Sequence, residues 1–349
     1  MGTDDAGNGL RGLRATPSPQ LLELLRERYG LDPIVEARDL GGSSNLNVLI
    51  AVGDGGRYVA RVYRPYVSRS RLEAIQFVRR ELANGGIPCA EGIPTRDSAP
   101  WATIGNRLVE VEHFVEHDGG MDSWEPLERG LPWLGRIHSL LRGVAVAPEG
   151  KQPLFANHIE PFDALAGTLR GTQRVREWGP TPGERRLLEA AEELAQRVAH
   201  AEREFVSAGL RQLVHGDFWD NNVLFRDGRV VLVTDFDFMG ERARIDDLAL
   251  TLYYANSTFS EDPVSDTRLA RLRRLVDAYD QGLEAPLTRA ERAALPLAIA
   301  RQPLWWIGRW LVLLDDEEQA RRGFAEMSRD IEWALQVIRE ADWWQAAFA

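Results

Sequence analysis

The chain has 349 residues and a formal net charge of −11, from 53 acidic and 42 basic residues. Proteins that bind the phosphate backbone of nucleic acids need a basic face, so this balance argues against nucleic acid as a partner, while it permits a cationic substrate. The single cysteine, Cys89, excludes an internal disulfide, and the sequence has neither an apolar run that could span a bilayer nor an apolar signal core, so we expect a cytoplasmic protein without membrane contact.

The N-terminal third alternates short apolar strands with two helices. We expect residues 1–17 to be disordered and two domains to follow, over 18–116 and 117–349, with the boundary in a polar, glycine-containing stretch. Apolar periodicity and turn residues predict, in chain order, a helix over 19–29, strands over 34–40, 46–52 and 57–63, a helix over 69–82 and a strand over 107–115.

A Gly/Ser-rich turn lies between the first two predicted strands. Its residues are Gly41, Gly42, Ser43, Ser44 and Asn45. The backbone N–H groups of such a turn can cradle phosphates. Alone the turn is weak evidence, because most glycine-rich turns bind no ligand. Its position upstream of the stretch described next makes it a candidate nucleotide-binding segment.

A hairpin is predicted in the middle of the chain. Strands over 223–225 and 230–233 flank Asp227 and Gly228, and Asp-Gly between apolar runs is a strong hairpin signal. The pairing that a two-residue turn sets predicts that Asn222 and Asp235 end on the same side of the hairpin. Carbonyl and carboxylate oxygens are the ligands that Mg²⁺ prefers, so we expect these two residues to share one ion.

A second acid precedes this hairpin. A predicted strand over 211–214 leads into a turn at Gly216, and Asp217 follows it at the strand exit. There a carboxylate can accept a proton from a substrate hydroxyl. His215 is interpreted as a buried orienting residue. One base and two oxygen ligands for magnesium are the set that phosphoryl transfer needs.

The spacing of these residues resembles a known family. His-Gly-Asp from His215, then four residues and Asn222, then a strand ending in Asp-Phe at Asp235, is similar to the aminoglycoside phosphotransferase and choline kinase family. The resemblance implies an α+β, bilobal protein-kinase-like fold with a small antiparallel-sheet N-lobe and a larger, mainly helical C-lobe. It also implies ATP or GTP as donor and Mg²⁺ as cofactor, with Asp217 as the catalytic base and Asn222 and Asp235 as metal ligands.

The resemblance assigns nucleotide-binding roles upstream. Arg61 stands where the family has its phosphate-pairing lysine, and Glu73 on the following helix is our choice for the acid that pairs with it, with Glu81 as the alternative. Glu112 and Phe114 match the hinge whose backbone meets the purine. The other reading of Arg61 and Glu73 is ordinary solvent-facing charge.

The C-terminal part is predicted to be helical and rich in tryptophan. Trp305, Trp306 and Trp310 lie on one predicted helix. We expect them to pack in the core, and the more specific alternative is that one or two of them line an acceptor pocket. The acidic run Asp315–Glu318 either contacts a cationic acceptor or is a solvated helix start. Lys151 is the only lysine in the sequence, so any side-chain cation that touches nucleotide phosphates is expected to be arginine.

The sequence predicts a nucleotide-dependent kinase of a small-molecule hydroxyl. An antibiotic or natural product is the favoured acceptor, for self-resistance or biosynthesis. The alternatives are a metabolic kinase of choline, homoserine or a sugar, and, from another class, an inactive nucleotide-binding regulator. The intact set of Asp217, Asn222 and Asp235 argues against the inactive regulator.

Overall fold

The structure is a computed structural model that describes residues 14–42, 45–153, 156–204, 209–259, 266–314 and 316–349. Of the predicted site residues, Ser43 and Ser44 lie outside the described residues, as do Asp315 and most of the segment 1–17. Packing divides the chain into two compact units. Unit 1 holds the described residues up to Asp118 together with Ala145–Gly150 and Phe225–Thr234, and unit 2 holds the others.

The strands of the described residues are short and most lie in the first third of the chain. They are β1 (Ile34–Asp39), β2 (Leu46–Val52), β3 (Arg57–Val62), β4 (Gly92–Ile93), β5 (Ala102–Ile104), β6 (Arg107–His113), β7 (Gly119–Met121), β8 (Arg211–Val214), β9 (Asp220–Arg226), β10 (Arg229–Val233) and β11 (Gly240–Ala243).

Helices make up most of the rest. They are α1 (Pro19–Leu24), α2 (Arg69–Asn84), α3 (Trp124–Leu141), α4 (Pro148–Lys151), α5 (Pro161–Glu177), α6 (Pro182–Ala201), α7 (Arg244–Thr258), α8 (Asp266–Gln281), α9 (Arg289–Arg301), α10 (Pro303–Trp305), α11 (Leu311–Leu313), α12 (Glu317–Glu326), α13 (Ser328–Arg339) and α14 (Ala341–Phe348). Two π-helical segments, Leu25–Tyr29 and Trp306–Trp310, continue α1 and α10.

Unit 1 is built on an antiparallel sheet. Its strands run in the order β1-β2-β3-β6-β4, and β5 pairs with the other end of β6. The core on one face includes Val48, Ile50, Val62 and Val111, whose side chains alternate inward along their strands, and α1 closes it with Leu21. Each such buried aliphatic side chain contributes roughly 1.5–3 kcal/mol.

Unit 2 is mainly helical. The side chain of Thr181 accepts a hydrogen bond from the backbone N–H of Glu184, and the Glu184 carboxylate accepts one from the backbone N–H of Thr181, so a capping box begins α6. A capping box formed by Thr288 and Glu291 begins α9 in the same way. A two-stranded antiparallel pair of β8 and β11 sets the chain direction at the turn that follows β8.

The predicted elements are largely confirmed, and the differences have local causes. The strands over 46–52 and 211–214 agree residue for residue. The helix predicted over 19–29 changes to π geometry at Leu25 and ends at Gly30, which has a φ of 75°. The predicted Asp-Gly turn is present: Asp227 and Gly228 have φ values of 49° and 71°, as a two-residue hairpin turn requires.

Candidate active site

The turn that follows β8 is shaped by glycine and braced by one carboxylate. Gly216 has a φ of 87°, and a Cβ there would collide with the carbonyl of Phe238, so only glycine fits. The backbone N–H groups of His215 and Gly216 donate to the two carboxylate oxygens of Asp247 at 3.0 and 2.9 Å. His138 contacts the same carboxylate at 3.0 Å. This fixes the direction in which the next residue leaves the strand.

That next residue, Asp217, is held at both carboxylate oxygens. Asn157 Nδ2 donates to Oδ1 at 2.9 Å, and Asn222 Nδ2 donates to Oδ2 at 3.0 Å. The pKa of Asp217 is raised to about 7, first by burial and then by the charge of Asp235, while the hydrogen bond from the Asn222 amide acts to lower it. A carboxyl group that titrates near neutral pH and is fixed by two donors is suited to take and return a proton.

The two predicted metal ligands lie beside Asp217. The Asn222 amide nitrogen also donates to the Asp217 carbonyl at 2.9 Å, so the Asn222 carbonyl oxygen is the atom that remains for a cation. Asp235 has a left-handed backbone, with a φ of 62°, and its charge acts on Asp217. Such backbone strain in a residue other than glycine concentrates at functional sites. An amide oxygen and a carboxylate fit magnesium, which takes few protein ligands.

In a second group of potential metal ligands in unit 2, the negative charge is already neutralised by arginine side chains. Ligand atoms of His158, Glu160 and Asp246 lie within 4.8 Å of one another. Arg211 holds Glu160 with two hydrogen bonds of 3.0 Å, and Arg301 donates to Asp246. These guanidinium groups supply the positive charge that a metal would bring, so we assign no metal to this group.

In unit 1 the residues of the Gly/Ser turn are only partly described. Gly41 and Gly42 have φ values of 86° and 103°, which glycine adopts without strain. Asn45 is buried, and its Oδ1 accepts a hydrogen bond from the backbone N–H of Arg64 at 3.3 Å. The Asn45 side chain therefore ties the end of the turn to the backbone just after β3.

The partner predicted for Arg61 is wrong. Glu73 is exposed on α2 and makes no ion pair within the part of the chain that the structure describes. Instead Arg61 Nε lies 3.6 Å from Glu112 Oε1, and its Nη2 donates to Thr234 Oγ1 at 2.8 Å. Glu73 lies on the solvent side of α2, whereas Glu112 lies on β6, next to β3 in the sheet, with its side chain buried. Arg61 itself is buried, so the solvent-facing reading of Arg61 is wrong, whereas that of Glu73 is confirmed.

The buried face of α2 contributes a cation to this network. Arg79 Nη1 lies 2.8 Å from Glu110 and Nη2 lies 3.2 Å from Glu112. Tyr63 and Gln76 also donate to Glu110, at 2.8 and 2.7 Å. Burial acts to raise the pKa of Glu110, but the charge of Arg79 and these hydrogen bonds outweigh it and lower the pKa. Unit 1 thus holds two arginines and two glutamates in one buried network.

The predicted hinge residues end β6. The side chain of Glu112 belongs to the buried network, so only its backbone remains for a purine. Phe114 follows the strand and its ring packs under Arg57, whose guanidinium carbon lies 4.2 Å from the ring centroid.

The model of the phosphotransferase enzyme family matches residues 36–295, which is most of the chain. The chain belongs to the phosphotransferase enzyme family.

The relatives and solved structures that resemble the chain include several proteins named as kinases. The chain is 25% identical over 286 residues to a homoserine kinase of Rhodopseudomonas palustris, covering 77% of each chain. It is 27% identical to a homoserine kinase of Rhodospirillum rubrum, covering 73% of each. Among solved structures, an amicoumacin kinase superposes with a TM-score of 0.68 at 16% identity, covering 91% of this chain and 93% of that one. A microcompartment-associated aminopropanol kinase gives 0.65 at 16%, covering 94% and 98%.

These likenesses confirm the predicted kinase-like α+β fold, and the phosphotransferase is an enzyme. None of its described helices is long and apolar enough to cross a membrane. Sequence reasoning missed two arrangements: the Asn157 contact to Asp217, which no motif signals, and the Arg79 network. Arg79 had a signal, because with Leu72, Ile75 and Leu82 it follows the spacing of the buried stripe of α2.

Proposed function

We propose that the phosphotransferase moves the γ-phosphoryl group of ATP or GTP to a hydroxyl of a small molecule. Asp217 is the base that takes the hydroxyl proton. The environment of Asp217 is the main support for this proposal. Two amide donors fix its carboxylate, and its pKa of about 7 suits a base that works near neutral pH.

The other groups are assigned by their chemistry. Asn222 and Asp235 are proposed to hold Mg²⁺, which when bound neutralises charge on the donor's phosphates. In unit 1, backbone N–H groups of Gly42, Ser43, Ser44 and Asn45 and the guanidinium of Arg61 are proposed to position those phosphates. The backbone at Glu112 and Phe114 is proposed to meet the purine.

The acceptor has two candidate classes. An antibiotic or related natural product, the class favoured by sequence reasoning, is supported by the likeness to the amicoumacin kinase. A metabolic hydroxyl compound, such as an amino alcohol or hydroxy amino acid, is supported by the homoserine kinase relatives and the aminopropanol kinase likeness. We favour the metabolic class, because the homoserine kinase of Rhodopseudomonas palustris resembles the chain at 25% identity over 77% of each chain, whereas the amicoumacin kinase is only 16% identical and so shows the fold alone.

An acceptor screen tests the proposal. The purified protein is incubated with Mg²⁺ and ATP or GTP, and nucleoside diphosphate release is measured with aminoglycoside, peptide and nucleoside antibiotics and with small amino alcohols and hydroxy amino acids. Acceptor-dependent release is the expected result, with turnover on a small metabolite. Turnover on antibiotics alone would overturn the metabolic assignment. No transfer to any acceptor, together with intact nucleotide binding, would favour the inactive regulator.

The pH dependence of turnover should report on Asp217. The base must be ionised, so kcat/KM should fall about tenfold per pH unit below the pKa of Asp217. Without metal that pKa is about 7, and a cation bound next to Asp235 should lower it, since Asp235 raises it. The acidic limb of the profile should therefore move to lower pH as Mg²⁺ is raised. A limb that does not respond to Mg²⁺ would contradict this arrangement.

A further inference from the structure

A cavity of about 240 Å³ opens in unit 2, and its walls are apolar except for two arginines. Trp310, Val312 and Leu313 supply apolar surface, and Arg170 and Arg309 supply the charge. Arg309 is partly buried, whereas Arg170 is exposed at the rim.

The wall that carries Arg309 is held closely against α5. Trp306–Trp310 is a π-helical segment, a geometry that often marks functional sites. A Cβ on Gly171 would collide with the carbonyl of Ile307, so glycine lets the two backbones approach. Arg174 on α5 donates to the carbonyls of Leu311 and Val312 at 3.1 and 2.6 Å. These carbonyl groups, near the end of the helical segment, are therefore hydrogen-bonded. The position of Arg309 is therefore fixed by packing and hydrogen bonds.

Along the chain, the cavity wall is one residue from the group that holds the proposed base. Ala156 lines the cavity, and the next residue, Asn157, donates to Asp217. Adjacent Cα atoms are about 3.8 Å apart, so a wall residue and the residue that holds Asp217 are backbone neighbours. Asn157 is only 4% exposed and its side chain also meets that of Tyr254, while its Oδ1 accepts no hydrogen bond of normal geometry from a described residue. A buried carbonyl oxygen without a donor costs free energy unless a ligand or water supplies one.

The two arginines of the cavity are not neutralised by the described part of the protein. Neither Arg170 nor Arg309 makes a hydrogen bond or an ion pair with a described residue, whereas Arg301 and Arg211 in the same unit are paired with acids. The chain has 53 acidic against 42 basic residues, so available acids are not scarce. A guanidinium binds carboxylate and phosphate groups through paired N–H donors.

We propose that this cavity is the acceptor subsite for an anionic group, a carboxylate or a phosphate, and that Arg309 binds it. Asn157 Oδ1 accepts a hydrogen bond from an N–H or O–H next to the reacting hydroxyl, while its amide nitrogen holds Asp217. This inference rests on the proposed function, and it narrows the acceptor to a small hydroxy acid, hydroxy amino acid or phosphorylated alcohol.

Matched acceptors test the charge requirement. Homoserine is compared with 3-amino-1-propanol, serine with ethanolamine and glycerol 3-phosphate with glycerol, so that each pair differs by the anionic group. The wild type should prefer the anionic member of at least one pair by tenfold or more in kcat/KM. Preference in the amino acid pairs identifies a carboxylate, and preference in the glycerol pair identifies a phosphate.

Arg309→Gln tests the residue. A hydrogen bond to a charged group contributes about 1.5–3 kcal/mol, so the variant should lose about ten- to a hundredfold in kcat/KM for the anionic acceptor and little for its neutral partner. Arg186→Gln, an exposed arginine of α6 outside the cavity, is the matched control and should leave both values unchanged. Thermal unfolding of both variants checks that they remain folded.

The two proposals fail in different ways. Turnover with equal or better use of the neutral acceptors, or equal losses on both members of a pair in Arg309→Gln, overturns the anion subsite and leaves the kinase function standing. As a second measurement, the unreactive 2-aminobutyrate is titrated calorimetrically into the wild type with a non-hydrolysable nucleotide and Mg²⁺. Binding that Arg309→Gln weakens supports the subsite, and binding that the substitution leaves unchanged contradicts it.

Discussion

Asp217→Asn is expected to lower kcat/KM for phosphoryl transfer by about 10²- to 10⁴-fold, the usual contribution of a general base. The substitution keeps the size of the side chain but removes the group that takes the hydroxyl proton. The metal ligands Asn222 and Asp235 remain, so the affinity for nucleotide with Mg²⁺ should change much less than turnover. Steady-state kinetics and nucleotide titration measure the two effects separately.

The control for this experiment is Asp227→Asn. Asp227 lies in the exposed hairpin turn with a φ of 49°, a conformation that asparagine also adopts readily. It carries the same change in charge on the same segment of the chain, and turnover should stay near the wild-type value. Equal activity of Asp217→Asn and the wild type would remove Asp217 from the mechanism, and the pH profile would then need another base.

Arg79→Met is expected to lower the free energy of unfolding by about 3–5 kcal/mol near neutral pH. Glu110 is fully buried and Glu112 is 4% exposed, and both lie within 3.2 Å of the Arg79 guanidinium. Removing one partner of a buried ion pair leaves charge without compensation, which costs far more than the pair itself stabilises. Chemical denaturation of the variant and of Arg80→Met, its exposed neighbour on α2, measures the difference.

The same network predicts how the loss depends on pH. In the wild type the pKa of Glu110 is lowered on folding, so its contribution to stability is present above its unfolded pKa and is lost as the pH falls through the folded value. The pKa of Glu112 is already raised by burial in the wild type, against the charge of Arg79. Without Arg79, burial also raises the pKa of Glu110, so both carboxyl groups take up protons more readily in the folded state. The deficit of Arg79→Met should therefore be smaller at about pH 5 than at about pH 7.5. A deficit no larger than that of Arg80→Met at both values would contradict the network.

The local structure around the proposed catalytic residues was predictable because it depends on short-range sequence patterns. Asp217 follows β8 in a tight turn, Asn222 lies on β9 and Asp235 follows β10. The turn residues Asp227 and Gly228 determine how β9 and β10 run. The position of the base follows from a strand exit and a glycine that no other residue can replace. Short-range sequence patterns carry this kind of information well.

Contacts between site residues and residues distant in the sequence were not predictable in the same way. Glu73 was chosen for Arg61 from its place on the helix, but the packing of α2 directs Arg79 inward and leaves Glu73 exposed. Asn157 reaches Asp217 from 60 residues away, out of a segment between two helices with no periodic pattern. Contacts between side chains that are far apart in sequence depend on tertiary packing. Local rules of alternation or helical spacing do not predict them.

Phosphorus NMR can show directly whether a phosphoryl group moves from the nucleotide to an acceptor hydroxyl at Asp217. A reaction with ATP or GTP, Mg²⁺ and an acceptor from the screen is followed for donor and product together. We expect one phosphate ester on the acceptor for each nucleoside diphosphate formed, with the wild type and with Asp227→Asn, and almost none with Asp217→Asn. Nucleoside diphosphate that forms with free phosphate and no ester, or an ester that forms equally well with Asp217→Asn, would contradict it.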